Sequence, residues 1–90
     1  MTYQIEFTDA ARQAAVHLPP EIKQRIKEAL RFLSANPFAG EPLLRELWGK
    51  RKLRVGRYRL IYLLETQRKT ILILAIGPRR DIYKLRFGRT

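Results

Sequence analysis

The sequence predicts an α+β domain in which a helical hairpin packs on one face of a mainly antiparallel, twisted sheet, in the order β-α-α-β-β-β. Three observations carry this prediction. Residues 3–8 alternate apolar and polar side chains, the period of a half-buried strand. Residues 9–35 hold two helical patterns in succession, parted by Pro19-Pro20. Residues 51–76 hold three β-favouring runs, the first two flanking Gly56-Arg57, where glycine supplies the positive φ that tight primed turns need. Ninety residues make a single small domain, spanning 1–90, that buries roughly 60 to 65% of its unfolded surface.

In chain order, Tyr3, Ile5 and Phe7 form the inward side of the first strand. Thr8 or Asp9 caps a short helix reaching about residue 18, whose Ala10, Ala11, Ala14 and Ala15 allow close packing. Pro20 suits the opening of the next helix, because its missing N–H falls where a helix has no bond to make. From residue 21 to 35, Ile22, Ile26, Ala29, Leu30 and Leu33 keep to one stripe, and Asn36-Pro37 ends the helix. Residues 38–50 are the least regular part. Leu43, Leu44 and Leu47 are expected to plug one end of the core, while Trp48 either caps the core or meets a partner. After the central hairpin come a polar turn at 65–69 and a continuous apolar strand at 70–76, punctuated by Gly77-Pro78 and followed by a basic tail.

Composition bounds the function. Nineteen Lys and Arg against eight Asp and Glu leave a net charge of +11, which predicts polyanionic partners, nucleic acid or an acidic protein. The absence of cysteine removes disulfides, thiolate catalysis and cysteine-based zinc sites. One histidine, His17, excludes a pair of imidazoles and reads as a solvated residue near a helix end. No phosphate-binding glycine loop, metal-ligand cluster or Ser/His/Asp arrangement is present, so neither metal nor cofactor is expected. The opening residues lack a signal peptide's basic flank and apolar core, and no apolar run reaches membrane-spanning length, so the expected location is the cytoplasm.

The hairpin turn sets a register. With Gly56-Arg57 as the loop, Val55 faces Tyr58, Arg54 faces Arg59, Leu53 faces Leu60 and Lys52 faces Ile61. One side is then apolar, with Leu53, Val55, Tyr58 and Leu60, and should meet the helices. The other carries Lys52, Arg54 and Arg59 and is expected to look toward solvent. Like charges set directly opposite one another are destabilising unless an anion relieves them. The face reads either as an anion site or as a solvated, solubilising surface; tyrosines among the cations suit a phosphodiester with exposed bases.

These residues also resemble a known family, the RelE/ParE toxins of bacterial and archaeal toxin-antitoxin modules. The likeness covers nearly the whole chain: an opening strand, a helical hairpin entered through Leu18-Pro19-Pro20-Glu21, the phrase Asn36-Pro37-Phe38, the run Leu-Arg-Val-Gly-Arg-Tyr-Arg-Leu-Ile-Tyr at 53–62, and a closing segment at 77–83. The resemblance implies a toxin that acts as a ribosome-dependent mRNA endonuclease without metal. In that chemistry the substrate's own 2′-hydroxyl attacks the adjacent phosphorus, giving a cyclic phosphate and a free 5′-hydroxyl. Carried over by motif, the catalytic positions fall on Lys52, Arg54, Arg59, Arg79 and Tyr83, with Arg51, Arg57, Arg80 and Lys84 as substrate contacts. Lys52 suits the base role better than Arg54, whose guanidinium stays protonated. Glu41 is a further candidate base, in a Glu-Pro-Leu phrase similar to one used by some relatives. Arg51 stands where an aromatic is common. The resemblance further implies an acidic antitoxin that wraps the cationic surface, with a heterotetramer as one assembly, and the ribosome and mRNA as partners. A ParE-like toxin that inhibits DNA gyrase without cutting RNA, and an inactive nucleic-acid-binding relative, are the alternatives.

Overall fold

A computed structural model describes residues 2–43 and 49–78. The order is β1 (Gln4–Phe7), α1 (Asp9–Val16), α2 (Pro20–Ala35), β2 (Glu41–Pro42), β3 (Lys50–Val55), β4 (Tyr58–Glu65) and β5 (Thr70–Pro78). The strands form one sheet in the order β1-β5-β4-β3-β2. All neighbours are antiparallel except β1 and β5, which run parallel with Gln4 opposite Thr70 and Phe7 opposite Ile73.

Thr8 stops β1 and starts α1. Its amide donates to the Ile73 carbonyl (3.0 Å), its Oγ1 accepts the Ala11 amide (3.1 Å), and the same hydroxyl donates to the Leu74 carbonyl (3.3 Å). One residue therefore caps the helix and ties its start to β5. Ala11 is fully buried, so α1 lies close to the sheet with no large side chain between. The helix stops at Val16, short of residue 18, because Leu18 precedes Pro19 and is steered out of the α region. Lys23 Nζ donates to the Val16 carbonyl left open there (3.2 Å). In α2, which Pro20 opens, Ile26 and Leu33 are buried; Asn36 closes the helix by donating its Nδ2 to the Phe32 carbonyl (3.0 Å).

The main core joins Ala11, Ile26 and Leu33 of the helices to Leu60, Tyr62, Ile71, Ile73 and Ile76 of the sheet, with Leu53, Val55 and Leu64 packed around them. Between the pairs Tyr62–Ile73 and Ile61–Ala75, β5 holds the extra residue Leu74, a β-bulge. The bulge shifts the alternation, so Ile73 and Ile76 both join the helix-side core despite their odd spacing.

Three expectations are corrected. The irregular connection contains a strand: Glu41 and Pro42 pair with Lys52 and Arg51, adding β2 beyond β3. Gly77-Pro78 continues β5, because β4 extends far enough to place Arg59 opposite Gly77 and Tyr58 opposite Pro78. The sheet face away from the helices is not simply solvated: Ile61 and Ala75 are buried there with Leu43 and Leu74 against them. Leu43 thus serves this smaller cluster, while Leu44, Leu47 and Trp48 lie outside the described residues.

Candidate nucleic-acid interface

The hairpin pairs as its turn chemistry requires. Gly56 has φ of +61° and Arg57 does not share a positive φ, the pattern of a type II′ turn, and Val55–Tyr58, Arg54–Arg59, Leu53–Leu60 and Lys52–Ile61 are paired. Residues paired directly across strands project to the same side. Arg54 and Arg59 therefore share the face away from the helices, and Lys52 joins them from two residues earlier in β3. Because Glu41 opposes Lys52, its carboxylate emerges on that face too.

The cations differ in their surroundings. Arg54 is exposed, and its Nε donates to the Gly56 carbonyl (3.1 Å), which steadies the side chain along the turn. Lys52 is half-buried. Arg59 is only 8% exposed, the one charged residue in the described part of the chain that is buried. A guanidinium so enclosed keeps most of its Coulomb strength, since neither water nor salt screens it as they screen Arg54.

The other sequence-derived candidates separate. Arg57 sits exposed at the turn. Arg51 projects to the opposite side, as alternation requires. Its Nε and Nη2 donate to the Gly40 carbonyl (3.1 and 2.8 Å), Nη2 also donates to the Phe38 carbonyl (3.0 Å), and the guanidinium lies 5.4 Å from the Phe38 ring centroid. It is engaged with its own chain and does not stand with Lys52, Arg54 and Arg59. Arg79, Arg80, Tyr83 and Lys84 fall outside the described residues. His17 is exposed, its Nδ1 2.8 Å from the Gln13 carbonyl, away from the cationic face. Among the described residues no cluster of His, Asp or Glu is arranged to hold a metal ion, and no helix is long and apolar enough to cross a membrane.

Sequence reasoning missed how Glu41 is placed. Tyr62 is fully buried, and its hydroxyl donates to the Pro37 carbonyl (2.9 Å) and accepts the Gly40 amide (3.0 Å). A Cβ on Gly40 would lie 2.6 Å from the Lys52 carbonyl oxygen and from the Tyr62 hydroxyl, so only glycine fits there. The available signal was a tyrosine inside an apolar strand, whose hydroxyl must find a partner in some neighbouring loop.

A small α+β domain with a cationic patch on the outer face of a β-hairpin, a carboxylate at its edge and two helices behind it defines a class of compact, basic proteins. Comparison with known proteins narrows the class. A family profile described as "ParE toxin of type II toxin-antitoxin system, parDE" matches residues 5–83. The chain is 41% identical over 86 residues to Toxin RelG of Mycobacterium tuberculosis, covering 93% of this chain and 99% of that protein. It is 30% identical over 89 residues to a putative RelE-like toxin protein of Escherichia coli, covering 94% of each. Its fold superposes on a chain of the toxin-antitoxin complex RelBE2 from M. tuberculosis with a TM-score of 0.82 and 37% identity, covering 88% of this chain and 100% of that one. The chain belongs to the RelE/ParE toxin family of type II toxin-antitoxin systems.

Proposed function

We propose that the protein is a ribosome-dependent mRNA endonuclease that needs no metal. The observation that carries this reading is the pairing of Arg54 with Arg59 beside Lys52, on the face that Glu41 also borders. The substrate's 2′-hydroxyl loses its proton and attacks the adjacent phosphorus, closing a 2′,3′-cyclic phosphate; the bond to the 5′-oxygen breaks, and that oxygen takes a proton from water and leaves as a hydroxyl. Lys52 and Arg59 offset the charge that builds on the phosphoryl oxygens, help that is strongest from groups already fixed in place. The buried site of Arg59 favours that role, and exposed Arg54 and Arg57 suit the flanking phosphates. Glu41, opposite Lys52, is the proton acceptor, a role a guanidinium cannot fill. By family position Arg79 attends the leaving oxygen, Tyr83 stacks on a base, and Arg80 and Lys84 bind along the strand.

Purified ribosomes programmed with message test the reading. Arg59→Ala should lower the cleavage rate by roughly 10²- to 10³-fold, the range for removing one preorganised donor. Undiminished cutting sinks the site, and no cutting by the unaltered chain sinks the activity. The ParE description of the matching family profile favours a second reading, gyrase inhibition, which a supercoiling assay on the same preparation separates.

An acidic antitoxin is the proposed protein partner, supported by the toxin-antitoxin complex that this fold matches and by the net charge of +11. Its seat is an open groove of about 230 Å³ lined by Phe7, Ala15, Val16, Leu18, Ile26 and Leu30, with Lys23 and Lys27 at its walls. Val16 is 62% exposed there, and an amphipathic helix with acidic flanks would cover it. Association should weaken steeply with salt; binding indifferent to salt would count against this mode.

A further inference from the structure

We infer that Arg51 is a positioning residue: it acts through Gly40 to hold Glu41 beside Lys52, and it does not contact substrate. The inference rests on the proposed cleavage activity and gives Arg51 a role other than the substrate contact that the family resemblance implies.

The geometry is that of a latch. Residues 37–40 form a bend whose polar groups are taken up by two side chains from the sheet. Tyr62 holds the Pro37 carbonyl and the Gly40 amide from within the core (2.9 and 3.0 Å). Arg51 holds the Phe38 carbonyl and, through Nε and Nη2 together, the Gly40 carbonyl (3.0, 3.1 and 2.8 Å). The Gly40 peptide groups are thus gripped on both sides, and Glu41 is the next residue. Beyond it the Leu43 amide donates to the Lys50 carbonyl (2.8 Å), closing the other end of β2. Two residues of strand would not keep a register unaided, since so short a pairing carries little stabilisation of its own.

Position in β3 gives the latch its consequence. Arg51 and Lys52 are neighbours, so one side chain fixes the bend on the helix side while the next emerges on the cationic face. Any shift of the bend relative to β3 therefore displaces Glu41 relative to Lys52. The guanidinium is suited to this because its planar fork donates to one carbonyl from two nitrogens while stacking on Phe38; an ammonium offers no such fork.

The experiment combines cleavage on programmed ribosomes with amide hydrogen exchange on the free protein, for R51A, R51K and E41Q. In exchange, R51A should lose protection at the Gly40 and Leu43 amides at least tenfold while Leu60 and Ile73 stay protected, which distinguishes a loosened bend from an unfolded chain. E41Q should leave exchange unchanged. In cleavage, R51A and E41Q should each lower kcat roughly tenfold or more with KM within about twofold, and the double variant should be no worse than the weaker single one, since the two act as a unit. R51K should restore little of either readout. Unchanged exchange at Leu43 in R51A overturns the latch whatever the cleavage result. A rise in KM alone, or multiplying effects of R51A and E41Q, overturns the positioning role in favour of substrate contact. Absence of cleavage by the unaltered chain overturns the functional reading, and with it the role of Glu41, while the exchange result still judges the latch.

Discussion

Replacing Tyr62 by Phe isolates the polar half of the latch from its packing half. The ring is fully buried among Leu33, Leu60, Ile71 and Ile73, and phenylalanine keeps nearly all of that apolar volume. What disappears is one hydroxyl that satisfies both the Gly40 amide and the Pro37 carbonyl. Gly40 is buried, so its amide has no ready access to water, and a buried donor stranded in this way costs about 1–3 kcal/mol. The Pro37 carbonyl is only partly buried and recovers some solvation. The expected loss is therefore about 2 kcal/mol, which for a domain of this size lowers Tm by about 10 °C. Thermal and urea unfolding followed by circular dichroism measure it, and the urea m-value should not change because the surface exposed on unfolding is the same. A Tm within about 2 °C of the original would show that the bend does not depend on this hydroxyl and would refute the account of how β2 is held.

Thr8→Ala removes both the α1 cap and the tie to the Leu74 carbonyl, and should cost about 1–2 kcal/mol in the same unfolding assay. Gly56→Ala forces a side chain into φ of +61° and sets its Cβ 3.2 Å from Arg25 Nη1; a loss of about 1–2 kcal/mol is expected, with the hairpin register retained in cross-strand nuclear Overhauser contacts. Arg68→Ala breaks exposed ion pairs to Glu6 (3.7 Å) and Glu65 (3.3 Å) and should change stability by less than about 1 kcal/mol, an effect that vanishes in 1 M salt.

The hairpin was legible because its register needs only two things the sequence displays: a glycine able to take positive φ and strands that alternate on either side. The helices were legible for a similar reason, with prolines at both breaks and a stripe of spaced aliphatic residues between them. β2 was not, because two residues have no period; its place is set by Tyr62 and Arg51, which lie far along the chain from the bend they hold. The bulge at Leu74 was hidden for the opposite reason, since every residue in 71–76 is apolar and any register looks equally good. Among the site residues, the shared face of Lys52, Arg54 and Arg59 follows from strand geometry, whereas Glu41 joins it only through β2, and the burial of Arg59 cannot be read from the pattern of β4 alone. Arg51 was legible in direction, since alternation alone puts it behind Lys52; its bonds to the Gly40 and Phe38 carbonyls were not, because they depend on a bend with no period of its own.

The parallel contact between β1 and β5 bears on how the chain is made. Residue 4 finds its neighbour only at residue 70, so no early segment emerging from the synthetic machinery can complete the sheet. At about 5–20 residues per second, the amino-terminal strand and both helices wait several seconds without a finished scaffold behind them. A product broken off before residue 70 would lack the strand on which Thr8 and Ala11 settle. Prematurely released fragments of this protein should therefore be inert and readily degraded, and whatever harm the protein does should begin only once β5 is in place.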